Sequence, residues 1–229
     1  MSLARERDHL SSTAMALHYA SFCHLYRRET QTAREFAEAG LALANEHGFR
    51  LWAGLHNIVL GQALAQSGRE PEGIEHMEKG NSAYAGTRAR RAGVGQPGEL
   101  AYAYGRIGQS TKALELIEEE LARASAIGAR SVEPELHRIK GELLLLRDPS
   151  SLSEAERCFR AAIEKARRIG AKSWELRAIT GLARLLAQQG KRDEARTTLA
   201  EIYGWFTEGF DTADLKDSKA LLDELTVES

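Results

Sequence analysis

The segment LGQALAQSGREPEGIEHM, which runs from Leu60 to Met77, decides how this chain folds. Its apolar residues recur at helical spacing on both sides of Gly68, so we expect two short helices with a glycine stop between them. The same layout returns in LAYAYGRIGQSTKALELI at 100–117 and in LARLLAQQGKRDEARTTL at 182–199. Self-similarity at a regular interval is typical of repeat proteins, so the sequence predicts an array of helical hairpins.

Two small residues mark every copy, one in the first helix of the hairpin and one in the second. Antiparallel helices approach closely where small residues face each other, and a larger residue fills the next turn. The first-helix markers are Ser21, Gly61, Ala101, Gly141 and Ala183, and the second-helix markers are Ala33, Gly73, Ala113, Ala155 and Ala195. Four residues after each second marker stand Ala37, Met77, Ile117, Phe159 and Leu199, followed three residues later by Gly40, Gly80, Glu120, Ala162 and Ile202. The regular spacing predicts five hairpins.

We expect an all-α fold, a right-handed α-solenoid of five hairpins with a C-terminal capping helix, in a single domain over 1–229. An inserted turn at 148–153 lengthens the fourth hairpin, and Ser153 with Glu156 is predicted to form a capping box there. In the tail, Gly209 is expected to break the chain and Thr212 to cap a last helix that covers the fifth hairpin. The predicted hairpins span about 10–48, 50–86, 88–128, 131–170 and 173–206, and the capping helix spans about 207–226.

The composition is that of an ordinary soluble protein, with 31 basic and 33 acidic residues and a formal net charge of -2. This balance gives no reason to expect a nucleic acid or an anionic membrane as a direct partner. The longest apolar run, Leu143 to Leu146, is far shorter than the roughly 20 residues of a membrane helix, and no charged-then-apolar leader opens the chain. We therefore expect a cytoplasmic protein, in which Cys23 and Cys158 are reduced thiols.

A glycine-rich string, ARRAGVGQPGE at 89–99, contains the spacing G-x-G-x-x-G. A dinucleotide site would need a strand before this string, and the preceding residues show no strand pattern. A helix through its three glycines and Pro97 would cost about 6 kcal/mol, so we predict an irregular connection over 86–96, with Pro97 as the first helical residue. The basic residues of this loop either hold a phosphate or an acidic partner or are solvated charges. They are Arg88, Arg90 and Arg91.

The small, small, large pattern, with a Leu or Tyr three residues after the first marker, resembles the tetratricopeptide repeat (TPR). The unit here is 40 to 42 residues, against about 34 in that repeat. HEAT-type repeats have a longer period but lack this pattern. The segments ELHRIKGELLL at 135–145, AERCFRAAIEKARRIGAKSWELRAITGLARLL at 155–186 and YGWFTEGFDTADLKDSKALLDEL at 203–225 are similar to the C-terminal helical-repeat region of large bacterial signalling proteins.

In that family, the repeats follow a signalling ATPase module, often with a class III adenylate or guanylate cyclase domain or a DNA-binding regulator domain. The resemblance implies that any cyclase or ATPase activity belongs to upstream domains. The resemblance to the tetratricopeptide repeat implies a concave groove, lined by the first helices, that binds a protein or peptide partner or the protein's own upstream domain. When the groove positions of that architecture are placed on this sequence in the repeat register, they fall on His18, Phe22, Tyr26, Ile58, Gln62, Tyr102, Arg106, Arg138, Glu142, Arg177 and Arg184. Neighbouring repeats or the tail could instead cover these residues.

No cluster of residues in the sequence predicts chemistry. His18, Cys23 and His24 do not share one helix face, as zinc ligands would have to, and no nucleophile signature is present. We therefore expect no enzyme activity, no metal and no cofactor. The chain is interpreted as a noncatalytic interaction or sensor module of a larger signalling protein. The alternative is a stand-alone protein that binds a small molecule or nucleotide through its groove or its basic loop, and the oligomeric state is left open.

Overall fold

The computed structural model describes residues 2–85 and 97–227. In this part of the chain every regular element is an α-helix, which confirms the all-helical prediction. Residues 1–107 form one compact unit (unit 1) and residues 108–229 form a second (unit 2). The helices of unit 1 are α1 (Ser2–Tyr26), α2 (Thr30–Glu46), α3 (Arg50–Gln66), α4 (Glu70–Ala85) and α5 (Pro97–Arg106). Those of unit 2 are α6 (Ser110–Ile127), α7 (Glu133–Arg147), α8 (Leu152–Arg168), α9 (Lys172–Gln188), α10 (Arg192–Tyr203) and α11 (Ala213–Thr226).

Short turns with one left-handed residue end most of these helices. At Gly68, where φ is +84°, the backbone N–H of Arg69 donates to the carbonyl of Leu64 at 3.0 Å. This 6→1 bond, with its glycine in the left-handed region, is the Schellman arrangement that satisfies otherwise unpaired carbonyl groups. The turn between α1 and α2 has the same geometry at Arg28, where φ is 62°. Arg28 is the only non-glycine residue with positive φ in the described part of the chain.

Unit 1 is a stack of helical hairpins. α2 packs on α1, α3 packs on both of them, α4 packs on α3, and α5 packs on α3 and α4. The closest approach occurs where the two glycine markers of the second hairpin meet. An added Cβ at Gly61 would lie 2.5 Å from the carbonyl oxygen of Gly73, and the reverse distance is also 2.5 Å. Only glycine at both positions lets α3 and α4 pack at this spacing.

Unit 2 repeats the same packing. α7 packs on α6, α8 packs on α7, and α9 packs on both α7 and α8. The Phe159 side chain is buried in this core, and added Cβ atoms at Gly141 and Gly181 would lie 3.1 and 2.7 Å from its ring. α10 packs on α9, and α11 packs on α9 and α10. The last helix therefore covers the fifth hairpin, as the tail pattern predicts.

Every marker residue of both helices is buried, and so are the two residues that follow each second marker in the pattern. The seam between paired helices is therefore where the repeat register predicts it. α5 begins at Pro97, as predicted from the cost of a helix through the glycines. The organisation of 1–229 as one domain stays a prediction. None of the helices in the described residues is both long enough and apolar enough to cross a membrane.

The predicted capping box at Ser153 is wrong. α8 begins one residue earlier, at Leu152, so Ser153 lies inside its first turn. The carboxylate of Asp148 organises the inserted turn instead, since its Oδ1 accepts hydrogen bonds from the Ser150 backbone N–H at 2.9 Å and from the Ser150 hydroxyl at 2.8 Å. Thr212 does occupy the position before α11, but its hydroxyl donates to the carbonyl of Gly209 at 2.7 Å rather than capping the helix.

Candidate interaction surface

In unit 1, two aromatic residues of the predicted groove lie at the end of α1. The Phe22 and Tyr26 rings meet edge to face, with centroids 4.5 Å apart. Phe22 is half-buried against the core cluster of the first hairpin, whereas Tyr26 is 44% exposed. An aromatic pair with one face packed and one face open offers a partner a rigid apolar contact.

Three other groove residues of unit 1 are not accessible to a partner. His18, Ile58 and Gln62 are buried within the unit, so the structure removes them from a contact surface. Ile58 and Gln62 lie on α3, which packs on both α1 and α5. On α1, the His18 ring meets the Trp52 and His56 rings of α3. On α5, Tyr102 is half-buried and Arg106 is exposed, and the Arg106 guanidinium pairs with the Glu70 carboxylate of α4 at 2.9 Å.

The two buried histidines of unit 1 form a polar pair inside the stack. The rings of His18 and His56 meet edge to face with centroids 5.6 Å apart, and His56 Nε2 lies 3.1 Å from the carbonyl oxygen of Ala14. Burial and, to a smaller extent, the neighbouring His56 lower the pKa of His18 to about 4. Burial also lowers the pKa of His56. Both imidazoles are therefore neutral near pH 7, and the Nδ1 atom of each has no hydrogen-bond partner among the described residues.

The histidines that the sequence places near Cys23 do not gather into a metal site. His24 Nδ1 lies 2.5 Å from Glu29 Oε2, and the His24 ring stacks on Phe36. Within the described residues no group of three or more His, Cys, Asp or Glu side chains could hold a metal ion. His24 therefore pairs with a carboxylate at the turn between α1 and α2.

In unit 2, the predicted groove residues of α7 form an ion triad. Arg138 donates to Glu135 Oε1 at 2.6 Å and to Glu142 Oε1 at 2.5 Å. All three side chains lie on one face of α7, because residues three and four apart are neighbours on a helix. Burial raises the pKa of Glu135, but the charge and hydrogen bonds of Arg138 outweigh burial, so the net pKa of this carboxyl is lowered. Glu135 is therefore ionised at neutral pH.

A second charged group connects α9 to the capping helix. Arg177 Nε donates to Asp214 Oδ2 at 2.7 Å, and the Arg177 guanidinium lies over the Trp174 ring at 5.1 Å. Arg177 also lies 4.0 Å from Glu135, so this group and the α7 triad are neighbours within unit 2. The surface of α7, α9 and α11 is thus a network of paired charges with an aromatic ring at its edge.

Arg184 differs from the other arginines of this surface. It is exposed on α9, two turns beyond Arg177, and no described residue pairs with its guanidinium. An exposed guanidinium with five N–H donors can bind a carboxylate with little desolvation cost. Arg184 is therefore the predicted groove residue of unit 2 that is most available to a partner.

Glu135, Trp174 and Asp214 are not among the groove residues predicted from the sequence. The triad could have been predicted, because Glu135, Arg138 and Glu142 are spaced three and four residues apart on one helix. The contact of Asp214 had no such signal, because it depends on where α11 packs. The basic loop residues Arg88, Arg90 and Arg91 lie outside the described residues.

Comparison with a solved structure supports the repeat architecture. A crystal structure of a single-substitution variant of a Podosopora anserina putative kinesin light chain with nearly identical TPR-like repeats matches with a TM-score of 0.52 at 20% identity. The match covers 83% of this chain and 92% of that chain. A second crystal structure of the same putative kinesin light chain has a TM-score of 0.49 at 19% identity, over 93% of this chain and 97% of that chain. The first likeness shows the fold, and it confirms the predicted TPR-like class of all-α repeat.

No protein-family profile matches the chain. No curated protein matches it either.

Proposed function

We propose that this chain is a noncatalytic interaction module that binds a peptide or helical segment of a protein partner along its first helices. One observation carries the proposal. The residue five positions after the marker is exposed in every first helix, where it lies at or next to the C-terminal end of the helix. These five residues, which we call the open row, are Tyr26, Gln66, Arg106, Leu146 and Gln188.

The open row has the chemistry of a peptide-binding surface. In unit 1 it combines Tyr26 with Gln66 and Arg106, and in unit 2 it combines Leu146 with Gln188, so each unit can accept an apolar side chain and also hydrogen-bond a peptide backbone. The position four residues before the open row adds Phe22 and Arg184, which are half-buried and exposed, respectively. TPR-like repeats in general serve protein interaction, and this row supports the same role here.

We further propose that the module belongs to a larger bacterial signalling protein in the cytoplasm. Its partner would then be a separate protein or its own upstream ATPase or cyclase domain, with no direct contact to nucleic acid. Binding would shift the signalling protein between an inactive and an active state, since a ligand shifts an equilibrium by its differential affinity for the two states. The resemblance of 155–186 and 203–225 to such proteins supports this context. Reading the natural gene upstream of residue 1 tests it, and a gene without an ATPase or cyclase domain overturns it.

Peptide binding is tested by selecting a phage-displayed library of random peptides on the whole chain. The selected peptides are then titrated against the native chain and three variants. Tyr26→Ser and Arg184→Glu change the proposed surface, whereas Arg157→Glu makes the same charge change on the exposed face of α8. We expect the Kd of at least one surface variant to be about tenfold higher, which corresponds to the loss of about 1.4 kcal/mol of binding free energy typical of a contact residue. The Kd of Arg157→Glu should be unchanged.

Two outcomes contradict the proposal. A selection that yields no binding peptide shows that the chain is not a general peptide-binding module. Peptides that bind all three variants equally show that the interaction lies elsewhere. The alternative is a stand-alone protein that binds a small molecule or nucleotide, and it is tested by titrating the same chain with ATP and with cyclic nucleotides. Saturable binding of a nucleotide favours this alternative.

A further inference from the structure

One face of α1 is exposed although its counterparts in α3, α7 and α9 are buried. The face consists of Ala16, Tyr19 and Cys23, which we call the α1 stacking face, and all three residues are exposed. Their spacing of three and four residues places them on one side of the helix. Tyr19 is 59% exposed, which is unusual for an aromatic side chain between two core positions of a repeat.

The repeat register identifies the counterparts of this face. Tyr19 stands two residues before its marker, and the same position holds Val59 in α3 and Ile139 in α7, which are 0% and 1% exposed. Cys23 stands two residues after its marker, at the position of the buried residues Ala63, Ala103, Leu143 and Leu185. Ala16 corresponds to the buried residues His56, Leu136 and Ala178. The same face of the first helix is therefore covered in α3, α7 and α9 and open in α1.

The preceding hairpin covers this face wherever it is buried. In unit 1, α3 packs on α1 and α2, and an added Cβ at Gly40 of α2 would lie only 2.0 Å from the His56 ring. In unit 2, α9 packs on α7 and α8, and an added Cβ at Gly181 would lie 2.7 Å from the Phe159 ring of α8. The second helix of the preceding hairpin thus supplies the contact in both units.

The sizes of the residues in this contact are complementary. The large Phe159 of α8 faces Gly181, whereas Ala37, at the same register position of α2, lies in one buried cluster with the larger Val59. Close-packed helices need this pairing of large with small, because overpacking costs about 1–3 kcal/mol. Tyr19 is larger than any of its counterparts, so the helix that covers it should carry Gly or Ala opposite.

We propose that the α1 stacking face is the docking site for one more TPR-like hairpin, whose second helix carries Gly or Ala at the register position of Ala37. The face continues an interface that the chain already repeats, which is why a hairpin fits better than an extended peptide. A second copy of the chain is a poor occupant, since its last hairpin is already covered by α11. The docked hairpin is one that precedes α1 in the same polypeptide, because in both units the hairpin that comes before in the chain makes this contact.

The test is a chain with one added hairpin. A copy of residues 9–49 is joined directly to residue 10, so that Leu10 follows the copy as Arg50 follows Phe49 in the native chain. Cys23→Ser is introduced into the copy, which leaves the native Cys23 as the reporter. Maleimide alkylation of Cys23 is then followed by mass spectrometry, with the half-buried Cys158 as the internal reference. Alkylation of Cys23 should be about tenfold slower than in the native chain, because a thiol under a docked hairpin reacts only after local opening.

A matched control carries Ala37→Phe in the copy, which places a large ring opposite Tyr19. We expect the protection of Cys23 to disappear in this control. Equal alkylation rates in the native chain and in both fusions overturn the proposal. So does an added segment that stays unfolded by circular dichroism, since these helices fold in their native place and only the docking face is new.

The native chain is measured in parallel by sedimentation equilibrium. A monomer with fast alkylation of Cys23 is the expected result, since the face is then open. A dimer in which Cys23 is protected, and which the change Tyr19→Lys dissociates, assigns the face to a second copy and overturns the proposal. Neither measurement depends on peptide binding by the open row, so failure of the proposed function leaves this test unaffected.

Discussion

Replacing Gly61 with alanine should destabilise unit 1, although alanine is the better helix former. The new Cβ would lie 2.5 Å from the carbonyl oxygen of Gly73, 2.7 Å from Met77 Cγ and 2.8 Å from the backbone nitrogen of Met77. Two of these neighbours are backbone atoms, so α3 and α4 must move apart to admit the methyl group. Such overpacking lowers the free energy of unfolding by about 3 kcal/mol, and the higher helix propensity of alanine raises it by about 1 kcal/mol. The expected net loss is about 2 kcal/mol.

The assay is guanidinium unfolding followed by tryptophan fluorescence. Trp52 lies in α3 of unit 1, whereas Trp174 and Trp205 lie in 108–229, so a Trp174→Phe, Trp205→Phe background makes the signal specific for unit 1. Gly73→Ala should cost about as much as Gly61→Ala, because the contact is reciprocal. The double variant should lose clearly less than the sum of the two, since helices that have separated for one methyl group admit the second. An unchanged or higher unfolding midpoint for Gly61→Ala would refute the close-approach argument.

Three further predictions test the turns, the buried histidines and the capping helix. Arg28→Gly should stabilise unit 1 by about 1 kcal/mol in the same assay, because the left-handed backbone costs an L-residue about 1–2 kcal/mol; a lower midpoint contradicts this. The neutral, buried His18 contributes stability that is present above its unfolded pKa and lost as pH falls toward its folded value of about 4. Unit 1 should therefore lose about 2 kcal/mol between about pH 7.5 and pH 5. A His18→Gln variant should show a weaker loss, and equal pH profiles would show that His18 is not responsible. Asp214→Ala should destabilise unit 2 by about 1–2 kcal/mol, because its partner Arg177 is mostly buried. Asp223→Ala, which removes an exposed pair with Lys219, should cost less than about 0.5 kcal/mol, so equal losses in the two variants would contradict the role of Arg177.

The seam of each hairpin could be predicted from the sequence because it depends on residue size at fixed spacing. Small side chains at the markers and a larger residue one turn later leave the helices one way to pack closely, and the structure buries all of these positions. Pro97 could be predicted as a helix start from backbone chemistry alone. The turn at Arg28 could not, since no glycine signals its left-handed conformation.

Features that depend on the position of a neighbouring helix could not be predicted from the sequence. Ile58 and Gln62 match the groove register, but α3 packs on both α1 and α5, and both side chains are buried. The ion triad on α7 follows from spacing within one helix, whereas the pair between Arg177 and Asp214 requires the position of α11. The capping box at Ser153 failed because α8 begins one residue earlier, at Leu152, which places Ser153 inside the first turn.

The glycine and alanine residues of the seam also reduce the side-chain entropy that is lost on folding. A buried leucine loses about 0.5–1 kcal/mol of rotamer freedom, whereas alanine and glycine have no rotamers to lose. The ten marker positions, nine of which are Gly or Ala, therefore bring helices into contact without freezing side chains. Their contribution comes from contact between backbones, which longer side chains at the same positions would prevent. Divergent repeats of this kind can thus change most of their surface and still keep one packing geometry.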